Sequence, residues 1–397
     1  MLSRSFEPGA PAAAGEVPLC VPTIGGNEWT YVKECLDTEM VSSVGGYVGR
    51  FEEACARLTG TRRAVATVNG TAALHIALLV AGVRPGDEVL VSTLTFIAPV
   101  NAIRYAGATP IFIDAEPDYW QMSAEQVRAY LATECSYDGS VLRNTRTGRR
   151  VAAVLPVHIL GHPVDMDTLL SVAREYGLPV IEDATESLGA VYRGRDVGGL
   201  GDAGCLSFNG NKLITTGGGG MIVTNSHAFA DRAKYLTTQA KDDPLEYVHG
   251  EVGFNYRLTN VAAAIGCAQT EQIGAFLGKK RVIAERYAEG LADVSGVTLM
   301  PEAPWARSAL WLYTILVDEE RFGMSSRELL RRLANDGIQT RPLWQPAHIS
   351  PAHADAPRFS CPVASRLHRD ALSLPSSVSL NETDQARVVT AIRNEAR

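Results

Sequence analysis

The sequence predicts an α/β fold, with a mainly parallel sheet covered by helices, followed by a smaller α+β unit. Two observations predict it. Apolar strand-like runs alternate with amphipathic helical segments through most of the chain, which is typical of right-handed βαβ crossovers. From about Thr270 the pattern changes to a long charged helix, a strand with alternating faces and a loop rich in Pro, His and Trp. We therefore expect two domains, residues 1–275 with an N-terminal arm and residues 276–397.

The strands predicted in the larger domain are short, apolar and bounded by turn residues. They are Glu88–Ser92, Pro110–Ile113, Val151–Val157, Pro179–Glu182, Cys205–Phe208 and Met221–Thr224. The last two flank a glycine-rich turn, so antiparallel pairing of these two strands is an alternative to parallel pairing. The helices predicted between the strands have apolar residues at helical spacing, and one of them begins at a capping serine. They are Thr71–Ala81, Val100–Ala106, Ser123–Leu131 and Met166–Tyr176.

Two further regions complete the prediction. The polar segment Cys135–Arg150 contains Asp-Gly and Thr-Gly turns and is expected to be an exposed excursion. The smaller domain is expected to contain four elements in chain order. They are a linker helix at Gln269–Leu291, a strand at Trp311–Asp318, a helix at Ser326–Asp336 and a loop at Arg341–Pro351.

Composition excludes several classes of protein. The chain has 397 residues, of which 46% are hydrophobic and 20% are charged, and this excludes a disordered protein or a disulfide-stapled mini-domain. The net charge of −7 argues against a nucleic-acid partner, and the lack of a long apolar run argues against a membrane span. The seven cysteines include no CxxC pair, which favours free thiols in a reducing cytoplasm over disulfides or a metal site.

Lysine is rare in this sequence, so one in an unusual context is informative. The lysines are Lys33, Lys212, Lys234, Lys241, Lys279 and Lys280. Lys212 lies in SFNGNKLITTGGGGM, between a predicted strand and four consecutive glycines. A lysine in a partly apolar pocket can lose its proton and form a Schiff base, and glycines allow close approach of a ligand. The alternative is a surface lysine in a glycine-rich hairpin.

Three other motifs suggest ligand binding, although each has an ordinary structural alternative. Asp183 follows a strand in VIEDATES, where open α/β sheets place ligand-contacting groups, but an aspartate there can also cap a helix. Gly70 and Thr71 in VNGTAALH open a helix, whose first N–H groups can bind a phosphate. The segment GFNYRLT contains Asn255, Tyr256 and Arg257 in a loop, which is also compatible with a simple capped loop.

Taken together and in this order, the motifs resemble the fold-type I pyridoxal 5′-phosphate (PLP) enzymes, whose large domain is like that of aspartate aminotransferase. Among them, the sequence resembles the DegT/DnrJ/EryC1/StrS family of nucleotide-sugar aminotransferases. The matching segments cover nearly the whole chain and are FEEACARLTG, NGTAALHIAL, STLTFIAPVNAI, GHPVDMDTLL, IEDATESLGA, SFNGNK and GFNYRLTN. The resemblance implies PLP as the cofactor, L-glutamate as the amino donor and a cytoplasmic homodimer with shared active sites.

The resemblance also implies roles for individual residues. Lys212 would bind PLP covalently and move the proton, and Asp183 would contact the pyridine nitrogen. Phe96 would stack on the cofactor ring, although a core aromatic is the alternative, and Asn255 would reach the cofactor phosphate of the neighbouring subunit. The other residues implied at the cofactor are Gly70, Thr71, Ala72, Glu186, Ser207 and Asn209. Those implied at the nucleotide sugar are Tyr256, Arg257, Arg341, Trp344 and His348, with Pro-rich packing as the alternative for the last three.

One residue departs from the family pattern, because Glu186 stands where many members have Gln. The combination of ATES with FNGNK resembles the branch that acts on 4-keto-6-deoxy sugars, such as the makers of UDP-bacillosamine and GDP-perosamine. The expected substrate is therefore a nucleotide-linked 4-keto-6-deoxyhexose, for example UDP-2-acetamido-2,6-dideoxy-4-hexulose. The alternatives are a 3-keto sugar or keto-cyclitol, and a non-enzymatic PLP-binding regulator or scaffold. No metal is expected, because the residues between His158 and His162 break a helix.

Overall fold

The structure is a computed structural model that describes residues 15–243 and 245–397. The predicted N-terminal arm falls largely on residues 1–14, outside the described residues. The helices are α1 Glu28–Asp37, α2 Gly46–Leu58, α3 Gly70–Val80, α4 Ala98–Tyr105, α5 Ala124–Glu134, α6 Met166–Glu175, α7 His227–Thr237, α8 Asn260–Thr270, α9 Ile273–Leu291, α10 Glu319–Phe322, α11 Ser326–Asn335, α12 Pro362–Asp370 and α13 Glu382–Glu395.

The strands are numbered in the same way. They are β1 Arg63–Thr67, β2 Glu88–Ser92, β3 Thr109–Ile113, β4 Cys135–Tyr137, β5 Leu142–Asn144, β6 Val151–Leu155, β7 Ile181–Asp183, β8 Val191–Tyr192, β9 Arg195–Asp196, β10 Ala203–Ser207, β11 Gly220–Thr224, β12 Lys241–Asp243, β13 Val248–His249, β14 Val297–Thr298, β15 Ala306–Arg307, β16 Thr314–Val317, β17 Arg341–Pro342 and β18 Ala371–Ser373.

The main sheet has the strand order β3–β2–β6–β7–β10–β11–β1. Strands β3, β2 and β6 are parallel, and β7 is parallel to β10. The two halves are joined at β6 and β7, where the Val154 amide donates to the Pro179 carbonyl and the Asp183 amide to the Pro156 carbonyl. Strand β11 runs antiparallel to both its neighbours. The expected mainly parallel sheet is therefore confirmed, and the pair beside the glycines is antiparallel.

Burial and capping explain most of the local structure. All residues of β2, β3 and β6 are buried, as expected for parallel strands covered by helices on both faces. At the predicted helix start, Ser123 Oγ accepts the Gln126 amide. At the start of α8, Thr259 Oγ1 accepts the Ala262 amide in the same way. The strand bounds predicted at Glu88–Ser92 agree fully with the structure.

The smaller unit is an antiparallel sheet of order β14–β16–β18–β17. Helix α9 joins its core to that of the main sheet. Ile273 and Phe276, at the beginning of α9, pack with the larger core, whereas Tyr287 and Leu291 pack with the smaller one. Val17 was assigned to the larger domain by the sequence prediction. It packs in the smaller core and hydrogen-bonds through its backbone to Gly337 and Gln339.

Two of the elements predicted from Gln269 onward differ in extent from the structure. The helix predicted at Gln269–Leu291 is the end of α8 and all of α9, separated at Glu271–Gln272, where the Gln272 side chain donates to Glu28 of α1. The strand predicted to begin at Trp311 begins at Thr314, because the Trp311 amide instead donates to the Leu160 carbonyl of a distant loop. These contacts are long-range, so no local pattern signals them.

The segment Cys135–Arg150 is mostly exposed, as expected from its polar turns. It forms the hairpin β4–β5, and Asn144 at its end is buried. The Asn144 side chain donates to the Glu88 carboxylate and to the Tyr130 hydroxyl, both at 2.9 Å. The hairpin is therefore attached to the buried start of β2 by polar contacts that the turn pattern does not predict.

Candidate active site

A pocket of about 280 Å³ lies at the carboxyl ends of β7 and β10, beside the start of α3. Ligands in open α/β sheets bind at this edge. The pocket is lined by most of the residues that the sequence analysis singled out for the cofactor. These residues are Gly70, Thr71, Phe96, Asp183, Glu186, Ser207, Asn209 and Lys212. Trp344, expected at the sugar, also lines it.

Asp183 ends β7 and is buried at the base of this pocket. Its Oδ1 accepts the Thr185 amide at 3.1 Å. Burial raises the pKa of the Asp183 carboxyl, and this effect is opposed by the hydrogen bonds from Thr185 and by the charges of Lys212 and His158. A desolvated carboxylate of this kind interacts strongly with a cationic N–H group.

The N-terminal turn of α3 forms a different side of the pocket. The Asn69 side chain caps this helix by accepting the Ala72 amide at 2.8 Å, and the Asn69 carbonyl accepts the Ala73 amide. The first two amides of the helix, at Gly70 and Thr71, lack an intrahelical acceptor and can bind an anion. Ala72 was expected to contact the phosphate, but its amide is committed to the cap.

Glycine is required where β11 passes this turn. A Cβ atom on Gly220 would lie 2.4 Å from the carbonyl of Asn69, and one on Gly70 would lie 2.9 Å from the Cβ of Ser207. Side chains at these positions would push α3 away from β10 and β11. Gly220 of the glycine-rich motif therefore allows the start of α3 to lie close to β10, which ends at Ser207, and to the turn that carries Lys212.

Lys212 lies in the turn after β10, and its side chain is 14% exposed. Its Nζ is 4.1 Å from the centroid of the Trp311 ring and 3.8 Å from Oε1 of Glu186. The Trp311 indole donates to the carbonyl of Asn211 at 2.8 Å, so the same tryptophan contacts the lysine and supports the turn that carries it. The Trp311 carbonyl in turn accepts the buried ammonium of Lys280 at 2.7 Å.

The outer wall of the pocket is aromatic. The ring of Phe96 is 53% exposed and packs edge-on against Trp344, with the ring centroids 5.5 Å apart. The centroids of Trp344 and Trp311 are 6.2 Å apart. The Trp344 indole donates to Oε1 of Glu186 at 3.3 Å, so this wall connects the smaller unit to the main sheet.

The remaining residues expected at the site lie elsewhere in this chain. His348 is buried at a second cavity, where its ring bonds to the hydroxyl of Thr93 at 2.7 Å. Arg341 donates to the carbonyl of Thr340. Tyr256 stacks on Phe254, and neither Tyr256 nor Arg257 lines the pocket. Asn255 is exposed and also lies outside the pocket.

Two residues that shape the pocket were not singled out from the sequence. Asn69 is the first, although an asparagine directly before a Gly-Thr helix start is a recognisable cap. Trp311 was assigned to a strand, and nothing in its neighbouring residues indicates a contact with a lysine about one hundred positions away. Only the packing of the two units brings Trp311 to Lys212.

The donor set of the pocket fits PLP. The cofactor has an anionic phosphate, a basic ring nitrogen and an aldehyde, and the pocket offers helix N–H groups, a buried carboxylate and a lysine amine. Within the described residues, no helix is long and apolar enough to cross a membrane.

Comparison with known proteins gives a consistent result. The profile of the DegT/DnrJ/EryC1/StrS aminotransferase family matches residues 22–393. EpsN of Bacillus subtilis, named as a pyridoxal phosphate-dependent aminotransferase, is 38% identical over 381 residues, which are 95% of each chain. GDP-perosamine synthase of Caulobacter vibrioides is 39% identical over 379 residues, covering 95% of this chain and 97% of that protein. A crystal structure of DesI with its TDP-sugar product has a TM-score of 0.87 and 29% identity, covering 97% of this chain and 94% of DesI.

Proposed function

The chain belongs to the DegT/DnrJ/EryC1/StrS aminotransferase family, and on this basis we propose that it transfers an amino group from L-glutamate to the C4 ketone of a nucleotide-linked 4-keto-6-deoxyhexose. It is a PLP-dependent aminotransferase of nucleotide sugars. One observation carries the proposed chemistry. The amine of Lys212, the buried carboxylate of Asp183 and the first turn of α3 line a single pocket.

Each of these groups has a separate task in the proposal. PLP, when bound, supplies a conjugated ring that delocalises the electron pair released at the α-carbon of the amino donor. Asp183 holds the ring nitrogen in its protonated form, and the amides of Gly70 and Thr71 hold the phosphate. The hydroxyl of Ser207 contributes a further hydrogen bond.

Lys212 would hold the cofactor covalently through its amine, and the same amine, once free, would move the reacting proton. It would take up the proton lost from the α-carbon of glutamate and hand it on within the pocket. In the second half of the reaction it would move a proton in the opposite direction, and the nitrogen that reaches the sugar ketone would come from the amino donor and not from Lys212. Because the lysine is largely shielded from solvent, the proton stays within the pocket.

The substrate is tested with a panel of GDP-, UDP- and dTDP-linked 4-keto-6-deoxy sugars, each incubated with L-glutamate and examined by mass spectrometry. The GDP-linked sugar comes first, because a relative 39% identical is named GDP-perosamine synthase. We expect one sugar to gain an amino group while 2-oxoglutarate is formed. 3-Keto sugars and a keto-cyclitol are incubated beside them in the same way. A reaction with only these compounds would contradict the C4 assignment and leave the aminotransferase activity intact.

We also propose that the active enzyme is a homodimer with shared active sites. Large apolar side chains are exposed on the described chain, among them Trp29 at 79% and Val252 at 83%. The Asn260 amide donates to the carbonyl of Ser42, and the Val68 amide to the carbonyl of Tyr256. Exposed apolar segments therefore adjoin the loop of Asn255, and a second copy of the chain would cover them.

The shared site predicts complementation between two defective variants. We expect Asn255→Ala to lose activity when PLP is limiting and Lys212→Ala to be inactive at any PLP concentration. When the two are unfolded, mixed in equal amounts and refolded, half the dimers are mixed, and one site of each mixed dimer has both native residues. The expected activity is about a quarter of the wild-type value, since this site combines residues from both subunits. Activity equal to the sum of the separate variants would show that Asn255 acts within its own subunit or not at the site.

A further inference from the structure

Glu186 is the residue at which the sequence departs from the expected family pattern, and its surroundings in this protein are those of a carboxylate. Its Oε2 accepts the Leu160 amide at 2.7 Å. Its Oε1 faces the Trp344 indole N–H at 3.3 Å and the Lys212 ammonium at 3.8 Å. Within the described part of the chain, the Leu160 and Trp344 N–H groups donate to these two oxygens, and the Lys212 ammonium faces them as a cation. A glutamine would turn its NH₂ group toward one of these donors and lose that contact.

The loop on the other side of Glu186 supports the same conclusion. Leu160 has a positive φ of 59°, which is unusual for a residue with a branched side chain. Its amide is held by Glu186 and its carbonyl accepts the Trp311 amide at 3.1 Å. The backbone is therefore kept in a strained conformation that directs an N–H group at the carboxylate.

The other charged groups near this pair come from several elements. Asp183, at the end of β7, is negative and also acts on Lys212. His158, after β6, bonds through Nε2 to the buried carboxylate of Glu182 at 3.0 Å. The thiol of Cys20 donates to the carbonyl of Asn211 behind the lysine. In the described chain, Glu186 is the acidic residue whose carboxylate lies within 4 Å of the Lys212 ammonium.

Burial and charge act in opposite directions on Glu186. Burial raises the pKa of its carboxyl, and the charge of Lys212 and the hydrogen bond from Leu160 oppose that rise. The glutamate side chain is only 4% exposed, so little solvent screens its interaction with the ammonium.

We propose that Glu186 is a positioning residue whose carboxylate serves as the counter-ion of the Lys212 ammonium whenever the lysine is not bound to the cofactor. It thereby sets the pH range in which the free amine can take up and release the reacting proton. This inference rests on the proposed role of Lys212, but it does not depend on which sugar is aminated.

The test measures the pKa of Lys212 directly in the full-length protein without PLP. Acetic anhydride acylates only neutral amines, so the acylation rate of each lysine as a function of pH reports its pKa by peptide mass spectrometry. For Glu186→Gln we expect the midpoint for Lys212 to fall by about one pH unit, which raises the acylation rate below that midpoint about tenfold. Exposed Lys33, in the same sample, should react as it does in the wild-type protein.

Two more variants separate the charge from the packing. Trp344→Phe removes the indole donor but keeps an aromatic ring and leaves the charge of Glu186 unchanged, so it should leave most of the Lys212 midpoint in place. Glu186→Asp retracts the charge by one methylene group and should shift the midpoint in the same direction as Glu186→Gln, by less. If Glu186→Gln does not fold, the test is the midpoint of Lys212 acylation in Glu186→Asp.

The inference is overturned if the Lys212 midpoint is the same in the wild type and in the Glu186 variants. It is also overturned if Trp344→Phe moves the midpoint as far as Glu186→Gln does, because packing would then be the cause. The measurement uses neither amino donor nor sugar, so a wrong substrate assignment does not change its outcome. If the wild-type protein does not bind PLP through Lys212, the proposed function is wrong, whatever the acylation measurement shows.

Discussion

Lys212→Ala is expected to abolish turnover, with a loss of about four orders of magnitude or more, because one amine both binds the cofactor and moves the proton. The variant should also lack the visible absorbance that PLP acquires when it is attached to a lysine. Steady-state 2-oxoglutarate formation and the absorbance spectrum of the purified protein are the measurements. The geometry supports this expectation, since Lys212 is the lysine among the lining residues of the pocket.

A matched control is Lys279→Ala, because Lys279 lies on α9 outside this pocket. It removes the same side chain and should retain both the spectrum and the wild-type rate. Addition of a small primary amine to Lys212→Ala should restore part of the proton transfer without restoring the covalent attachment. If Lys212→Ala turned over at nearly the wild-type rate, the catalytic assignment would be wrong.

Asp183→Asn is expected to reduce kcat by about two to three orders of magnitude. The substitution keeps the shape of the side chain but removes the negative charge that holds the ring nitrogen protonated, and electrostatic groups of this kind contribute on that scale. The rate of the first half-reaction with L-glutamate, followed in a single turnover, isolates the effect from sugar binding. Asp183→Glu keeps the charge and should retain more activity than the asparagine variant.

Asp183→Asn should not lower the thermal stability of the cofactor-free protein. Burial raises the pKa of Asp183, so in the cofactor-free protein the ionised carboxylate destabilises the folded state at any pH above the pKa of an unfolded aspartate. Removing the charge removes this penalty, and the effect disappears at low pH, where the carboxyl is protonated in both states. The Tm of cofactor-free Asp183→Asn at neutral pH should therefore equal or exceed that of the wild type. A large fall in Tm would indicate that the loss of activity reflects misfolding.

Much of the fold follows from local sequence patterns. The runs Glu88–Ser92 and Val151–Leu155 are apolar and β-branched and become buried parallel strands. Ser123 caps the helix that it was predicted to cap. The separation of α8 from α9 was not predicted, because both sides of the break are helical in composition and the Gln272 contact with Glu28 comes from a distant helix.

In the candidate site, too, some residues follow from local sequence patterns, whereas others depend on contacts between distant segments. Lys212, Asp183, Gly70 and Thr71 lie at turns and strand ends with recognisable chemistry, and they line one pocket. His348 lies in a segment of equally promising composition, yet it bonds to Thr93 at a second cavity. Composition identifies residues with suitable chemistry, but it does not specify the direction in which a loop turns.

The sequence by itself predicted the alternation of strands and helices and the family, and it singled out the lysine and the aspartate that line the pocket. Periodicity, capping and short motifs act over a few residues and are therefore visible in the chain. Only the tertiary structure decided that Trp311 contacts Lys212 and that Glu186 receives N–H groups from Leu160 and Trp344. These contacts join segments far apart in the chain, and they depend on how the two cores pack across α9. The physical reason is that hydrogen bonds and charge interactions depend on distance in space, which a linear sequence does not record.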